Sequence, residues 1–273
     1  MKPTIFITGC SSGIGYATAH YLQQQGWHVI ASCRHLDDVQ RLQSEGLECL
    51  QLDVTCSEQI QQVFAYLASG RLDAIFCNAG YGQPGLVEDI SREALREIFE
   101  TNVFGAWEVI NHALTIFRQQ NNGRIIINSS ILGFAAMHFR GAYNSTKFAL
   151  EGMADTLRHE LYGSNIYVSL LEPGPIESQF RPNSLAKLHQ YIDLKQVNNP
   201  IFYQQQLSRL TKQGNANPFT LPALACAKAC LNALKAKKPK ARYLVTFPTS
   251  LFWWLRRLLP TTIFDFFCRK AGG

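Results

Sequence analysis

Acidic residues are scarce in the last third of the chain: residues 181–273 carry 15 Lys and Arg but only two Asp and Glu, a net charge of +13. Residues 1–180 have the opposite balance, 11 basic against 18 acidic, or −7. The 273-residue chain therefore has a mild net charge of +6, and no nucleic-acid partner is expected. The asymmetry between the two parts requires its own explanation.

Paired cysteines and metal-ligand spacings are also lacking. The eight Cys include no Cys-x2-Cys pair, and no charged-then-apolar export signal leads the chain, so we expect reduced thiols and a cytoplasmic location. Cys226 and Cys230 are predicted to be buried small hydrophobes. No metal site is expected, because no ligand spacing occurs among His20, His28, His112, His138, His159 and His189.

No Pro-, Gly- or Ser-rich linker and no fixed-period repeat divides the chain, so we expect one domain. A composition of 47% hydrophobic and 17% charged residues excludes disordered, collagen-like and coiled-coil chains. Short β-branched apolar runs alternate with longer helical patterns, which predicts a doubly wound α/β domain with a parallel seven-stranded sheet. The predicted strands are Thr4–Thr8, His28–Cys33, Leu47–Leu52, Ala74–Cys77, Arg124–Asn128, Tyr167–Leu171 and Arg242–Thr246.

Helices are predicted between these strands, with Ser57 as one N-cap. The least regular stretch, 175–218, follows the sixth strand and is expected to form a substrate lid, because loops at the carboxyl ends of parallel strands line the ligand crevice. The predicted organisation is a dinucleotide-binding and catalytic domain at 1–248 and an amphipathic tail at 249–273. The clearest predicted helices are Gly13–Gln25, Ser57–Ala68, Arg92–Phe117, Ala142–Leu161 and Leu221–Ala236.

A glycine-rich turn follows the first predicted strand, between Thr8 and Gly15. Glycines let the backbone approach a pyrophosphate, and the amides and dipole of a helix N-terminus favour its negative charge. This context predicts a Rossmann-type dinucleotide site, with an ordinary strand-to-helix turn as the alternative. The loop residues expected to contact the cofactor are Gly9, Ser11, Ser12, Gly13, Ile14 and Gly15.

The end of the second predicted strand indicates which dinucleotide is preferred. An acid at this point binds the ribose 2′-hydroxyl, whereas an Arg accommodates a 2′-phosphate. Arg34 stands here, and the first acids, Asp37 and Asp38, fall at the start of the next helix. Because a guanidinium pairs well with phosphate, we predict NADP(H) over NAD(H); a solvated surface Arg is the alternative.

A catalytic group is predicted after the fifth strand. That strand delivers Ser129 and Ser130 to the edge of the sheet, Tyr143 comes thirteen residues after Ser130, and Lys147 lies one helical turn beyond Tyr143. Carbonyl reduction by hydride needs a proton donor, and an ammonium beside a phenol is expected to lower its pKa from about 10. Ser130 is expected to hold the substrate oxygen. His138 and Phe139 are expected to face the substrate. Each residue alone also has an ordinary structural explanation.

The spacing Gly-x3-Gly-x-Gly resembles that of the short-chain dehydrogenase/reductase family. Cys77-Asn78-Ala79-Gly80 is similar to that family's Asn-Asn-Ala-Gly, and the segment 173–178 to its Pro-Gly-x-Val-x-Thr, with Cys77 and Ser178 as departures. The resemblance implies that Asn102 helps to hold a proton-relaying water, and that Ser130, rather than Ser129, is catalytic. The implied catalytic residues are Asn102, Ser130, Tyr143 and Lys147. The implied further cofactor contacts are Asp53, Val54, Asn78, Ala79, Gly80, Tyr143, Lys147, Pro173, Gly174, Ile176 and Ser178.

The irregular segment 175–218 and the tail resemble the steroid-, retinol- and lipid-alcohol branch of that family. The expected function is therefore an NADP(H)-dependent oxidoreductase that interconverts an alcohol and a carbonyl on a lipophilic substrate. The alternatives are reduction of 3-oxoacyl thioesters and a non-catalytic NADP(H)-binding sensor or scaffold. Because dimers and tetramers are frequent in the family, a homo-oligomer is expected.

The C-terminal tail combines apolar and basic residues. It is too interrupted to span a bilayer, which needs about 20 mainly apolar residues. On a helix, Arg256 and Arg257 lie opposite an apolar face, an arrangement that suits peripheral contact with a membrane. Packing on the core or on a partner subunit is the equal alternative. The predicted apolar face consists of Leu251, Phe252, Trp254, Leu255, Leu258 and Leu259.

Overall fold

Seven parallel strands form one sheet in the computed structural model, which describes residues 2–211 and 218–272. The spatial order, β3-β2-β1-β4-β5-β6-β7, reverses beside β1, and ligands of doubly wound sheets bind at such a switch point. The predicted fold class is confirmed, and each strand boundary lies within two residues of its prediction. The strands are β1 (Thr4–Ile7), β2 (His28–Cys33), β3 (Glu48–Gln51), β4 (Ala74–Cys77), β5 (Gly123–Asn128), β6 (Ile166–Glu172) and β7 (Arg242–Leu244).

Helices cover both faces of the sheet, because its strands are apolar on both sides. Ile5 and Ile7 pack with residues of the first, second and ninth helices, whereas Phe6, on the opposite face, packs with residues of the third, fifth and sixth. The helices are α1 (Gly13–Gln24), α2 (Leu36–Ser44), α3 (Ser57–Leu67), α4 (Arg92–Phe99), α5 (Gly105–Gln120), α6 (Gly141–Glu160), α7 (Phe180–Tyr191), α8 (Pro200–Thr211), α9 (Leu224–Lys235), α10 (Phe247–Leu258) and α11 (Thr261–Gly272).

Two local predictions about helices are wrong. The single helix predicted over Arg92–Phe117 is divided by a π-helical turn at Glu100–Phe104, which contains Asn102. The N-cap position of α3 is occupied by Cys56, with extended backbone angles and no side-chain capping bond, and not by Ser57. The Ser57 hydroxyl instead donates to a Glu108 carboxylate oxygen at 2.9 Å. A residue within reach of a charged acceptor on a neighbouring helix is thus diverted from capping.

The predicted lid, 175–218, is more regular than its sequence indicates. It contains α7 and α8, whose apolar side chains enclose Phe139 in a small core together with Leu188, Ile192, Val197 and Tyr203. Both helices are weakly amphipathic, because the lid covers a loop region rather than the sheet. The sequence pattern therefore did not predict them. Residues 212–217 of the predicted lid lie outside the described part of the chain.

The tail packs on the domain with only part of its apolar surface. Its first helix, α10, begins at Phe247, just before the predicted boundary at 249. Phe252, Phe264 and Cys268 are buried against Ile131 and Phe134. The predicted apolar face is therefore split, and its exposed members are Leu251, Trp254 and Leu258, at 42, 59 and 73% exposure. Within residues 2–211 and 218–272, no helix is long and apolar enough to cross a membrane.

Candidate active site

The glycine-rich loop joins β1 to α1 at the carboxyl edge of the sheet. Gly9 and Gly13 have φ values of 72° and 59°, which side-chain-bearing residues rarely adopt. A Cβ at Gly9 would lie 2.7 Å from Ala79 Cα, so only glycine fits there. Ser12 precedes α1 without a side-chain capping bond, and no acid lies in the first turn of α1. The loop therefore fits the anionic pyrophosphate of a dinucleotide.

Hydrogen bonds fix the Asn78-Ala79 segment beside this loop. Thr8 Oγ1 accepts from the backbone N–H groups of Asn78 and Ala79 at 3.0 and 3.1 Å. Asn78 Nδ2 donates to the carbonyls of Thr8 and Gly9 at 3.0 and 2.9 Å. Asn128 Nδ2 donates to Asn78 Oδ1 at 2.9 Å. The ends of β1, β4 and β5 are thus connected, which brings the predicted catalytic strand next to the predicted cofactor site.

The adenosine side of the site is basic. Arg34 is exposed directly after β2, and its Nε donates to His35 Nε2 at 3.3 Å. Asp37 and Asp38 lie in the first turn of α2, as predicted. The Asp38 carboxylate forms an ion pair with Arg41 of the same helix at 2.9 Å. The position predicted to contact the ribose 2′-group therefore carries a cation.

Arg41 is a residue of this region that the sequence interpretation missed. Its Nη2 donates to the Ser11 carbonyl of the glycine loop at 2.7 Å, and its guanidinium lies 5.4 Å from the centre of the Tyr16 ring. The spacing to Asp38 and Glu45 predicts ordinary ion pairs within a helix. The reach to Ser11 depends on how α2 packs beside α1, which the sequence pattern does not contain.

Asp53 and Val54 follow β3. The Asp53 carboxylate accepts from Thr55 N and Thr55 Oγ1 at 3.0 and 2.8 Å, which holds it in a local turn. Val54 is buried, and a Cβ added at Gly105 would lie 2.8 Å from Val54 Cβ. Both predicted residues therefore lie at the carboxyl edge of the sheet.

The segment after β6 approaches the glycine loop from the other side. The Pro173 carbonyl accepts from Ile131 N at 2.9 Å, and Gly174 lies close to Thr249. Ile176 forms an isolated bridge with a residue before α9. A Cβ added at Gly13 would lie 3.1 Å from Ser178 Cβ, so Ser178 faces the loop. The structure thus brings this predicted segment to the same site.

Ser130, Tyr143 and Lys147 meet beside this cleft. Ser130 Oγ accepts from Leu132 N at 3.1 Å and is also hydrogen-bonded to Tyr143. Lys147 Nζ lies 5.5 Å from the centre of the Tyr143 ring and donates to the Asn128 carbonyl at 2.6 Å. The spacing along α6 places the phenol and the amine, and the turn after β5 brings the Ser130 hydroxyl to them. Ser129 does not join them, because its hydroxyl donates to a Glu151 carboxylate.

The titration of the group differs in one respect from the prediction. Burial raises the pKa of Tyr143, and the bond to Ser130 only partly opposes that shift. Burial also lowers the pKa of Lys147 to about 7. The prediction of a lowered Tyr143 pKa is thus wrong for this structure, because loss of hydration outweighs the nearby amine. Near neutral pH the amine is divided between its charged and neutral forms.

Asn102 connects the cofactor side to the catalytic helix. Its Nδ2 donates to Tyr81 O at 2.9 Å and Thr146 Oγ1 at 3.2 Å, and its Oδ1 accepts from Tyr81 N at 3.0 Å. Thr146 Oγ1 in turn donates to the Tyr143 carbonyl at 2.8 Å. A Cβ added at Gly80 would lie 3.0 Å from Asn102 Oδ1. Asn102 therefore fixes the turn after Gly80 to α6, and the π-helical turn places it for that contact.

Residues of the predicted lid cover Tyr143. The Phe180 ring packs edge-on to Tyr143, with 5.2 Å between the ring centres and an angle of 66°. No sequence motif marked Phe180, since its role depends on the position of α7. His138 and Phe139 pack on Phe202 of α8, at 5.4 and 5.8 Å between ring centres. These two residues thus lie beneath the lid.

Comparisons with known proteins agree with this geometry. A family model described as short chain dehydrogenase matches residues 3–188. The chain is 39% identical over 269 residues to the uncharacterized oxidoreductase YbbO of Escherichia coli K12, covering 97% of this chain and 93% of that protein. It is 30% identical over 260 residues to 17-beta-hydroxysteroid dehydrogenase type 1 of Homo sapiens, covering 90% of this chain and 78% of that protein.

Solved structures place the fold in the same group. A short-chain dehydrogenase from Streptomyces avermitilis aligns with a TM-score of 0.77 at 26% identity, covering 94% of this chain and 96% of that chain. The family match, the relatives and the seven-stranded sheet are consistent with one another. The chain belongs to the short chain dehydrogenase family and is an oxidoreductase.

Proposed function

We propose that the chain is an NADP(H)-dependent oxidoreductase that interconverts an alcohol and a carbonyl on a lipophilic substrate. The observation that carries the proposal is the meeting of Ser130, Tyr143 and Lys147 at the edge of the sheet that holds the glycine loop. A hydride reaction needs a proton donor beside a dinucleotide site, and this arrangement supplies both. The proposed catalytic residues are Asn102, Ser130, Tyr143 and Lys147.

In the proposed mechanism, a bound nicotinamide dinucleotide supplies or accepts the hydride. Ser130 donates a hydrogen bond to the substrate oxygen and orients it toward the Tyr143 hydroxyl. Tyr143 gives its proton to that oxygen during reduction and removes it during oxidation. The charged form of Lys147 stabilises the phenolate that reduction leaves behind. Because the pKa of Lys147 is lowered to about 7, this amine can exchange a proton near neutral pH.

The proposed preference for NADP(H) rests on Arg34. A planar guanidinium after β2 forms charge-assisted bonds to a 2′-phosphate, whereas the 2′-hydroxyl of NAD(H) needs an acceptor there. Asp38, an acid in the first turn of α2, forms an ion pair with Arg41 at 2.9 Å. The charge at this position therefore favours the phosphorylated dinucleotide.

The lipophilic substrate class is supported by the underside of the lid. Phe139, Leu188, Ile192 and Tyr203 form an apolar core beneath the lid. The Phe180 ring of the lid packs on Tyr143. The similarity to 17-beta-hydroxysteroid dehydrogenase type 1 extends over 90% of the chain and favours a ring- or chain-shaped lipid alcohol.

Two further parts of the proposal concern surfaces. Phe104, Trp107 and Phe148 expose 52, 52 and 42% of their surface on the side of α5 and α6, which supports a homo-oligomer through these helices. The proposal also includes a cytoplasmic location and peripheral contact with a membrane. The membrane contact is supported by α10. There Leu251, Trp254 and Leu258 form an exposed stripe.

Basic side chains border that stripe. Arg256 lies 5.3 Å from the centre of the Phe264 ring, and Lys270 lies 4.6 Å from that of Phe266. Cations held against aromatic rings beside exposed Trp and Leu suit the headgroup layer of an anionic membrane. The net charge of +13 over residues 181–273 acts in the same direction.

A substrate screen tests the reaction class. Purified protein is mixed with NADPH or NADH and with lipophilic ketones, a 3-oxoacyl thioester and small aldehydes, and dinucleotide absorbance is followed. The proposal expects turnover of lipophilic ketones with NADPH. Activity confined to the thioester would indicate the acyl-reductase alternative, and cofactor binding without any turnover would indicate the sensor alternative.

A further inference from the structure

Within the described residues, several buried polar atoms lie unpaired between the lid and the loop that follows β4, among them Gln83 Oε1, Ser184 Oγ and Tyr81 Oη. Gln83 and Ser184 expose only 1 and 2% of their surface. Gln83 Oε1 and Ser184 Oγ have no hydrogen-bond partner among the residues that the structure describes. Because an unsatisfied buried polar group destabilises a fold, such groups require an explanation, and a ligand is one.

Ser184 lies on the same face of α7 as the ring that packs on Tyr143. A Cβ added at Gly82 would lie 2.6 Å from Phe180 Cζ and 2.7 Å from Ser184 Oγ. Phe180 and Ser184 are one turn apart on α7, and the Phe180 ring packs on Tyr143 at 5.2 Å. Gln83 is the next residue in the chain after Gly82. Contacts therefore lead from Tyr143 through Phe180 to Ser184 and Gly82, and Gln83 adjoins Gly82 in the chain.

The same loop is also tied to the segment before the catalytic helix. Gly85 N donates to the Phe139 carbonyl at 3.1 Å, and Gly85 pairs with Arg140 in an isolated bridge. Gln83 therefore lies in a loop held between the lid on one side and the start of α6 on the other.

The chemistry of the pair selects a hydroxyl group. Gln83 Nε2 donates to the Pro84 carbonyl at 3.1 Å, which fixes the amide orientation and leaves Oε1 as an acceptor. The Ser184 hydroxyl can donate. An acceptor and a donor together match an alcohol, which gives its proton to one and accepts from the other; a ketone satisfies only Ser184, and a hydrocarbon satisfies neither.

We propose, resting on the proposed function, that Gln83 and Ser184 bind a second hydroxyl of the substrate, remote from the carbonyl that Tyr143 protonates. The substrate class is then lipophilic hydroxy-ketones and the corresponding diols. Lipid alcohols with a plain hydrocarbon end leave both polar atoms unpaired and are poorer substrates. Sites built to bind a hydroxyl discriminate strongly against analogues that lack it.

Matched ketones provide the test. Each pair shares one lipophilic skeleton and differs only by a hydroxyl remote from the carbonyl, and the pairs vary in the separation of the two groups. We expect at least one hydroxylated member to exceed its partner about tenfold or more in kcat/KM, mainly through KM. Ser184→Ala and Gln83→Leu should each lower this ratio about fivefold while leaving the plain ketone within about twofold.

Ser208→Ala is the matched control, since Ser208 is an exposed lid serine whose hydroxyl donates to the Gln205 carbonyl at 2.7 Å. This variant should keep the parent's ratio. Equal use of both members at every separation overturns the inference. A preference that survives in both Ser184→Ala and Gln83→Leu also overturns it.

Thermal-shift measurements with NADPH and the same pairs separate the two failures. Larger stabilisation by the hydroxylated member, lost in Ser184→Ala and Gln83→Leu, supports the inference even where nothing is turned over, in which case the proposed function fails alone. Equal stabilisation by both members overturns the inference whatever the turnover. Ser184→Ala removes only an unpaired hydroxyl and should keep the melting temperature of the parent. Gln83→Leu also loses the bond from Nε2 to the Pro84 carbonyl, so a small decrease is expected, and the melting temperature of the unliganded variant is measured first.

Discussion

The dinucleotide edge and the C-terminal third of this chain are held together by different kinds of contact. At the dinucleotide edge, Thr8, Asn78 and Asn128 connect three strands through hydrogen bonds of 2.9 to 3.1 Å. In the C-terminal third, aromatic contacts such as Phe139–Tyr203 and Phe252–Phe264 hold the lid and the tail. Directional bonds fix reacting groups, whereas apolar contacts tolerate changes of shape. Chemistry and substrate choice are thus assigned to different regions.

Removing the proton donor should abolish the chemistry of the dinucleotide edge without changing its affinity for NADPH. Tyr143→Phe deletes one hydroxyl and should lower kcat about 100- to 10,000-fold, because general acid catalysis contributes on that scale. NADPH affinity, measured by fluorescence titration, should stay near that of the parent. Near-normal turnover in this variant would remove Tyr143 from the mechanism.

Removing the charge of Arg34 should reduce the preference for NADPH over NADH. Arg34→Ala removes a charge-assisted contact worth about 1.5–3 kcal/mol, so the NADPH/NADH ratio of kcat/KM should fall about 10- to 150-fold. Arg118→Ala, an exposed arginine in the last turn of α5, serves as control and should leave the ratio unchanged. A parent that prefers NADH, or an unchanged ratio in Arg34→Ala, contradicts the assignment.

The pH dependence should report on Lys147. With a pKa of about 7, its charged fraction falls about tenfold between pH 6 and pH 8, and kcat/KM for reduction should fall with it because the charged amine stabilises the Tyr143 phenolate. Lys147→Arg keeps its charge throughout and should flatten the profile in this range. A flat parent profile, or the same fall in Lys147→Arg, would assign the titration to another group.

The tail should affect location and leave the chemistry nearly unchanged. Trp254→Glu places a charge in the exposed stripe of α10 and should reduce co-sedimentation with anionic vesicles, while kcat on a small ketone stays within about twofold. Binding should also weaken with added salt. Tyr162→Glu, at an apolar residue 93% exposed outside the tail, is the control. If the parent protein does not sediment at low salt, the stripe is a subunit contact.

The same division explains what the sequence could predict. Gly9, Ser130, Tyr143 and Lys147 follow strands or share a helical turn, so local spacing suffices to bring them together at one edge. The contacts of Arg41 with Ser11, of Phe180 with Tyr143 and of Ser57 with Glu108 join separate elements. The raised pKa of Tyr143 likewise depends on burial under a lid. Such features arise from packing, which periodicity does not encode.

Isotope transfer tests the central claim most directly. NADPH that carries deuterium on the transferred position of C4 is mixed with the parent protein and a lipophilic ketone, and the alcohol is analysed by mass spectrometry. The account predicts one deuterium on the carbinol carbon of each product molecule, and none formed by Tyr143→Phe on the same timescale. Product without deuterium, or NADPH binding without product from any ketone, would contradict it.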